Sequence, residues 1–325
     1  MKRLKKIFTI ITLILIIVLV IFAFKKLKNS DIKSKAEVKS GSCHPKYDSR
    51  YIRKINNIKI SNAEIKNKYE FVYLSDLHIS IVNENEEDEK IKESLLKRNL
   101  SFYGDMDSAT VKSTISEIVK YTNNKKATAL LLGGDIIDSP AESSRAVLRE
   151  NLKNLKTDYL YTLGNHDWTF LWDYQSEETK EKYLPEMKEF MDDINVSYLE
   201  YEDLIILAIN SSTNKIEEES LSKIKAVLEK QKPTIVMMHV PISTSEIADF
   251  SLKYRDRVSA IGEGGIELDQ TTQEAFDMIL SEKYKVFYIL AGHVHIQMET
   301  DLNERVHQFI TEAAYFGNIN VVQVN

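Results

Sequence analysis

The chain has 325 residues, 43% of them hydrophobic and 28% charged, enough to bury a large core as one big domain or two small ones. Its formal net charge of −6 argues against a nucleic-acid binder, whose phosphate-facing surface carries an excess of Lys and Arg. The single cysteine, Cys43, excludes an internal disulfide framework and a cysteine-based zinc site.

Residues 1–6 form a basic amino terminus with Lys2, Arg3, Lys5 and Lys6, and residues 7–24 carry no charge at all. At about 1.5 Å per residue this run spans roughly 27 Å, just enough to cross a hydrocarbon core. It is long for the apolar part of a cleaved signal peptide, and residues 21–24 lack a small-x-small cleavage pattern. One transmembrane helix, retained as a signal anchor, is therefore expected. The short basic amino terminus places the following domain outside the cell, although Lys25, Lys26 and Lys28 put positive charge on the other flank too. The expected location is the cell membrane, single-pass. Residues 25–50 are rich in Lys and Ser and read as a flexible linker in which Cys43 and His44 are solvated.

From residue 51 to 325 the pattern is that of a folded domain in which strands and helices alternate. A strand over 69–73 leads into Asp76 and His78. These lie two residues apart and so face the same side of an extended segment. The acidic run 83–90 reads as a solvated loop and helix start. A helix over 110–121 and a strand over 127–132 deliver Gly133-Gly134-Asp135-Ile136-Ile137-Asp138. A helix over 142–155 and a strand over 159–163 deliver Gly164-Asn165-His166-Asp167. A helix over 179–191, strands over 196–201 and 204–209, and a helix over 217–231 follow, before a strand over 234–238 delivers His239. The glycine-rich stretch 261–265 neither follows a strand nor has the spacing of a phosphate loop, so it reads as a flexible loop with a possible part in substrate selection. A helix over 271–280 and a strand over 286–290 deliver Gly292-His293-Val294-His295, and strands over 306–310 and 319–324 end the chain.

Five of the seven histidines sit at these strand ends, which is where open α/β sheets bind ligands. Asp, Asn and His without thiolate make a nitrogen and oxygen ligand set suited to Mn, Fe or Zn, and it is richer than a single ion needs. Two such cations would activate water and clamp the oxygens of a phosphoryl transfer. The glycines before Asp135, Asn165 and His293 let the backbone approach closely. His307 matches no motif and reads as surface or sheet filler, and Trp168 as core or pocket wall.

Asp-x-His, Gly-Asp-x-x-Asp, Gly-Asn-His-Asp, a lone strand-end His and Gly-His-x-His, in this order from residue 69 onward, resemble the calcineurin-like metallophosphoesterases, in a membrane-anchored bacterial-type form. The resemblance implies a four-layer αββα sandwich and a dinuclear centre with two divalent or transition metal ions. It implies that Asp76, His78 and His295 hold one metal, that Asn165, His239 and His293 hold the other, and that Asp135 bridges them. It further implies hydrolysis of phosphate mono- or diesters by a bridging hydroxide. His166 would face the phosphate as a catalytic group, and Asp138 would fix its tautomer; Asp167 would support the loop. Two features depart from the pattern. Asp76 and Asp135 lie 59 positions apart, which points to an inserted segment around 84–107. Ser139-Pro140 also stands where the family's protein phosphatases carry a phosphate-gripping Arg, which leaves small-molecule, nucleotide, lipid and cell-wall esters open. The alternative is a non-catalytic, metal-stabilised binding or sensor domain at the membrane. Storage of metal alone, however, has no need for a non-ligating imidazole held over the site.

Overall fold

The computed structural model describes residues 47–173, 175–254 and 257–325. The expected anchor at 7–24 and most of the expected linker, with Cys43 and His44, lie outside the described residues. Among the described residues no helix is long and apolar enough to cross a membrane.

In chain order the elements are β1 (Lys54–Ile60), β2 (Tyr69–Leu74), α1 (Glu89–Tyr103), α2 (Ala109–Lys125), β3 (Ala129–Leu132), α3 (Glu142–Lys153), β4 (Asp158–Tyr161), α4 (Glu177–Tyr183), β5 (Val196–Glu200), β6 (Ile205–Ile209), α5 (Glu218–Leu228), β7 (Thr234–Met237), α6 (Ser245–Tyr254), α7 (Gln270–Leu280), β8 (Val286–Ala291), β9 (Met298–Asp301), β10 (His307–Ile310) and β11 (Asn318–Val324). They build two mixed sheets, one ordered β1-β11-β2-β3-β4 and the other β5-β6-β7-β8-β10-β9.

Alternation along the strands splits the core into three apolar layers, because successive side chains leave opposite faces of a sheet. Val72, Leu74, Leu130 and Leu132 pack outward with Ile115, Ile118 and Leu148 of α2 and α3. Ile205, Leu207 and Val236 pack outward with Ile224 of α5 and Phe276 of α7. Between the sheets, Phe71, Tyr73, Leu131, Ile206, Met237, Leu290 and Phe309 fill a third layer. Helices, sheet, sheet and helices therefore stack as the expected sandwich.

Several boundaries differ from expectation for identifiable reasons. The helix expected over 179–191 is broken: α4 ends at Tyr183 and a 3₁₀ turn, Leu184–Phe190, takes over with Pro185 in its first positions. Proline has no N–H to continue the α ladder. The acidic run ends as expected, in a helix start, where the Asp88 carboxylate accepts hydrogen bonds from the Lys90 and Ile91 amides. The 15-residue helix that follows, α1, lies within the segment 84–107 expected as an insertion, and its sequence shows only a weak apolar stripe. The stretch 261–265 is not a free loop. Ile261 is fully buried and bridges Ile242 and Ile266, and a Cβ on Gly265 would strike the Ala260 carbonyl.

Phe309 is fully buried between the sheets. Phe309→Ala should destabilise the domain by about 3–5 kcal/mol. In urea unfolding this would lower the midpoint at an unchanged m-value.

Candidate metal centre

Each candidate ligand lies in a loop just beyond the carboxyl end of a strand. Asp76 and His78 follow β2, Asp135 and Asp138 follow β3, Asn165 and His166 follow β4, His239 follows β7, and His293 and His295 follow β8. β2, β3 and β4 run parallel, as do β7 and β8, so the loops of each sheet leave at one edge.

The reason that Asp76 and His78 face one point is not strand alternation, since β2 ends at Leu74. Asp76, His78, Asp135, His293 and His295 all adopt left-handed backbone angles, with φ of 58°, 51°, 51°, 68° and 56°. Such angles are uncommon for residues with a Cβ and persist only where the surroundings hold them. Here the hold is a ladder. The amides of Asp76, His78 and Ile79 donate to the carbonyls of Gly134, Asp135 and Ile136, which continues the β2–β3 pairing past the strands. Close approach accounts for the glycines. A Cβ on Gly164 would overlap the Asp135 carboxylate, and one on Gly292 would overlap the Ser75 hydroxyl.

The side chains converge in two groups. In the first, His78 Nε2 lies 3.4 Å from His295 Nε2, which is 3.1 Å from Asp76 Oδ1. In the second, His239 Nε2 lies 3.3 Å from His293 Nδ1 and 3.1 Å from Asp135 Oδ2. Asp135 Oδ2 is also 4.0 Å from His78 Nε2, which sets that carboxylate between the groups. Each carboxylate has its other oxygen tied to backbone: Asp76 Oδ2 accepts from the His293 amide and Asp135 Oδ1 from the His166 amide. The ring orientations follow from the outer contacts. His239 Nδ1 donates to the Gly133 carbonyl at 2.9 Å, and His78 Nδ1 donates to Asp138 Oδ1 at 2.8 Å. Both therefore turn an Nε2 lone pair inward.

These residues fit a pair of cations. Asp76 Oδ1 and Asn165 Oδ1 are buried oxygens without a hydrogen-bond partner, which ordinary protein interiors avoid. Asp76, His78 and His295 form one group able to hold an ion, and Asp135, His239 and His293 another; a third, His78, Asp138 and His166, shares His78 with the first, and its Asp138 is already engaged by Arg98. The electrostatics agree. Burial works against charge on Asp135, yet His239 and the other facing imidazoles hold its carboxyl well below the ordinary value. Burial likewise opposes charge on His239, and Asp135 overrides it, lifting the imidazole to about 10. Buried carboxylates this close stay ionised only with positive charge among them, and metal cations would take the place of those protons.

Asp138 is shared. Its Oδ1 takes the His78 proton donor at 2.8 Å and lies 3.4 Å from His166 Nδ1, so the imidazole it orients first is that of His78. Asp167 sits beneath the site as a tie between loops. One oxygen accepts from the Ile137 amide and the Tyr161 hydroxyl, the other from the amides of Asp135 and Gly164. Burial, with Asp135 nearby, pushes its carboxyl up to about 7, against four donors that favour the ionised form.

Over the two groups opens a cleft of about 370 Å³, lined by Asp135, Asn165, His166, His293 and His295 together with Leu171, Arg257 and Ser259. Arg257 and Ser259 were invisible in the sequence as site residues, because they stand in no motif and on no strand. They precede the 261–265 stretch, whose glycines do not line the cleft. Trp168 is core, donating to the Ser212 hydroxyl, and His307 is exposed on β10.

The sequence profile of the calcineurin-like phosphoesterases matches residues 69–297, most of the folded part. The chain belongs to this family. It is a hydrolase acting on phosphoric esters, and the family works with dinuclear metal centres. Among solved structures, it is similar to a dimetal phosphatase from Danio rerio, at 12% identity over 76% of this chain and 88% of that one, with a TM-score of 0.49. It is also similar to a phosphopantetheinyl hydrolase from Mycobacterium tuberculosis, at 12% identity over 77% of this chain and 91% of that one, TM-score 0.42. A putative 5'-nucleotidase from Staphylococcus aureus is similar at 13% identity over 76% of this chain and 49% of that one, TM-score 0.39. No curated protein matches the sequence.

The Asp167 tie yields a graded expectation. Asp167→Asn sets an amide N–H₂ against one backbone N–H, while Asp167→Ala strands the amides of Asp135, Ile137 and Gly164. Each stranded donor should cost about 1–3 kcal/mol, so Ala should be the more damaging in chemical denaturation of metal-free protein.

Proposed function

We propose that this protein hydrolyses small phosphate esters at a two-cation centre held by Asp76, His78, Asp135, Asn165, His239, His293 and His295. The observation that carries this reading is the pairing of imidazole nitrogens, 3.4 Å apart at His78–His295 and 3.3 Å apart at His239–His293, on either side of the Asp135 carboxylate. Cations bound there supply Lewis acidity and lower the pKa of water. Mn, Fe and Zn all suit the donor set.

The remaining steps belong to the chain. His166 lines the cleft outside the groups of Asp76 and Asp135, and its ring meets the Asp138 carboxylate at 3.4 Å. Burial, set against the attraction of Asp135 and Asp138, keeps the imidazole below its ordinary pKa. In this reading His166 places a proton on the departing oxygen, or a hydrogen bond on the phosphoryl group, as substrate bonds break. Among the described residues lining the cleft, Arg257 alone is a Lys or Arg, and in this reading it would donate to phosphate oxygens of the substrate. Ser139, in the position after Asp138, is buried and lends no cation to the cleft. This favours a small or flexible phosphoester over a phosphoprotein. Residues 7–24 would tether the domain to the membrane with the active site outside the cell.

Chelation should abolish hydrolysis of p-nitrophenyl phosphate or its bis-ester, and added Mn²⁺ should restore it with two ions bound per chain. Retained activity in a metal-free preparation would sink the proposal. Asp135→Asn should bind less than two ions per chain, and His166→Asn should lower kcat by about 10²–10⁴-fold with full metal content. Arg257→Ala should chiefly raise KM, by about tenfold or more, for a phosphate ester, as expected from loss of a charge-assisted contact.

A further inference from the structure

Helix α1 reaches the candidate metal centre, and its contact with Asp138 is made by Arg98. Its Nε donates to Asp138 Oδ2 at 2.6 Å and one terminal nitrogen donates to Oδ1 at 2.7 Å. The same Oδ1 takes the His78 Nδ1–H at 2.8 Å and faces His166 Nδ1 at 3.4 Å. A fully buried carboxylate thus meets a guanidinium fork on one side and two imidazoles on the other. The fork is itself braced. The guanidinium lies over the Phe102 ring at 4.4 Å, and that ring stacks on the His78 imidazole with centroids 4.3 Å apart and planes 17° apart. Tyr315 closes the group, 4.7 Å from Phe102 and 5.5 Å from His295. Further along α1, the Tyr103 hydroxyl donates to the Leu77 carbonyl, between Asp76 and His78.

We propose that Arg98 is a positioning residue, whose two-point grip fixes the plane of the Asp138 carboxylate so that it orients the metal-ligating His78 and the non-ligating His166 together. The physical reason is geometric. A carboxylate held only by His78 can rotate about its Cβ–Cγ bond and carry Oδ1 away from His166. A fork with two parallel N–H donors holds both oxygens and removes that rotation. The apolar stem of Arg98 and Phe102 also keep water from competing for the carboxylate. Helix α1 is then part of the active site and not a surface appendage. This inference rests on the metal reading above, and the experiment separates the two.

The test compares the full chain with Arg98→Met, Arg98→Lys, Asp138→Asn and Arg98→Met/Asp138→Asn, with Lys97→Ala, an exposed neighbour on α1, as control. Arg98→Met should lower kcat by about 10–100-fold while KM changes less than about threefold, the pattern of a mispositioned group. The loss should be larger for alkyl phosphates than for p-nitrophenyl phosphate, whose leaving group needs no proton from His166. Titration of Mn²⁺ into metal-free protein should show one of two binding steps weakened by about tenfold or more, from the His78 group, and the other unchanged. Because Arg98 acts through Asp138, the double variant should be within about threefold of Asp138→Asn alone. Arg98→Lys, with one contact instead of two, should fall between wild type and Arg98→Met.

A fully active Arg98→Met with wild-type Mn²⁺ steps overturns the inference, as does a double variant in which the two losses multiply. Should Arg98→Met fail to fold, Arg98→Lys decides, and wild-type kcat and Mn²⁺ binding in it overturn the two-point grip. If wild type itself binds no Mn²⁺, it is the metal reading that fails.

Discussion

Two carboxylates, Asp76 and Asp135, are buried within hydrogen-bonding reach of imidazoles that would all rather turn to water, and the domain is arranged to prevent it. Left-handed backbone at five ligand positions is the cost, about 1–3 kcal/mol each where nothing else compensates. Compensation comes from the continued β2–β3 ladder, from the Asp76 and Asp135 oxygens that each accept a backbone amide, and from the four donors around Asp167. A loop able to relax out of these angles would take its ligand with it. The site is thus held by an over-determined backbone as well as by the rings packed around His78.

That rigidity needs a frame, and the layer between the sheets provides it. Leu131 of β3 and Leu290 of β8 belong to the same buried cluster, so the two loop sets at the sheet edges are registered through direct apolar packing. His239 then crosses from the second sheet to donate to the Gly133 carbonyl in the first. The Gly292 amide donates to the His239 carbonyl, and the Ala314 amide to that of Ser75. The candidate metal centre and the interface between sheets are one construction, which explains why residues so far apart in sequence can meet.

The sequence was most legible where function forces local chemistry. A His or Asp placed just after an apolar run is visible from periodicity and composition alone, and the loops after β2, β3, β4, β7 and β8 bring these residues into the candidate ligand groups or the cleft above them. The glycines at 134, 164 and 292 were legible for the same reason: the positions they occupy admit no Cβ. Less was visible where the decisive contact is long-range. Arg98 lies 40 residues from Asp138 on a helix with a faint apolar stripe, so nothing local marks it as part of the centre. Tyr315 and Arg257 stand outside every motif. The short β9 was missed because its Met-Glu-Thr-Asp sequence is mostly polar and it pairs only at the sheet's edge. The two-residue spacing of Asp76 and His78 led to the right convergence by the wrong geometry, since the chain there is coiled and left-handed.

Arg98 and Arg257 also change how the centre's charge should be understood. In the motif after Asp138, the chain carries Ser139 and Pro140, both buried, so no cation arises from that turn. Positive charge enters instead from two segments that the sheets do not specify: α1 below the imidazoles and the stretch before Ile261 above the cleft. These have different tasks by virtue of their surroundings. Arg98 spends its fork on a buried carboxylate and has little surface left, whereas Arg257 is exposed at the cleft. With the two roles proposed above, a change in the segment bearing Arg257 would leave the residues proposed to hold the cations in place. On the proposed reading, the residues set by the two sheets carry the chemistry and the cation before Ile261 carries the choice of ester.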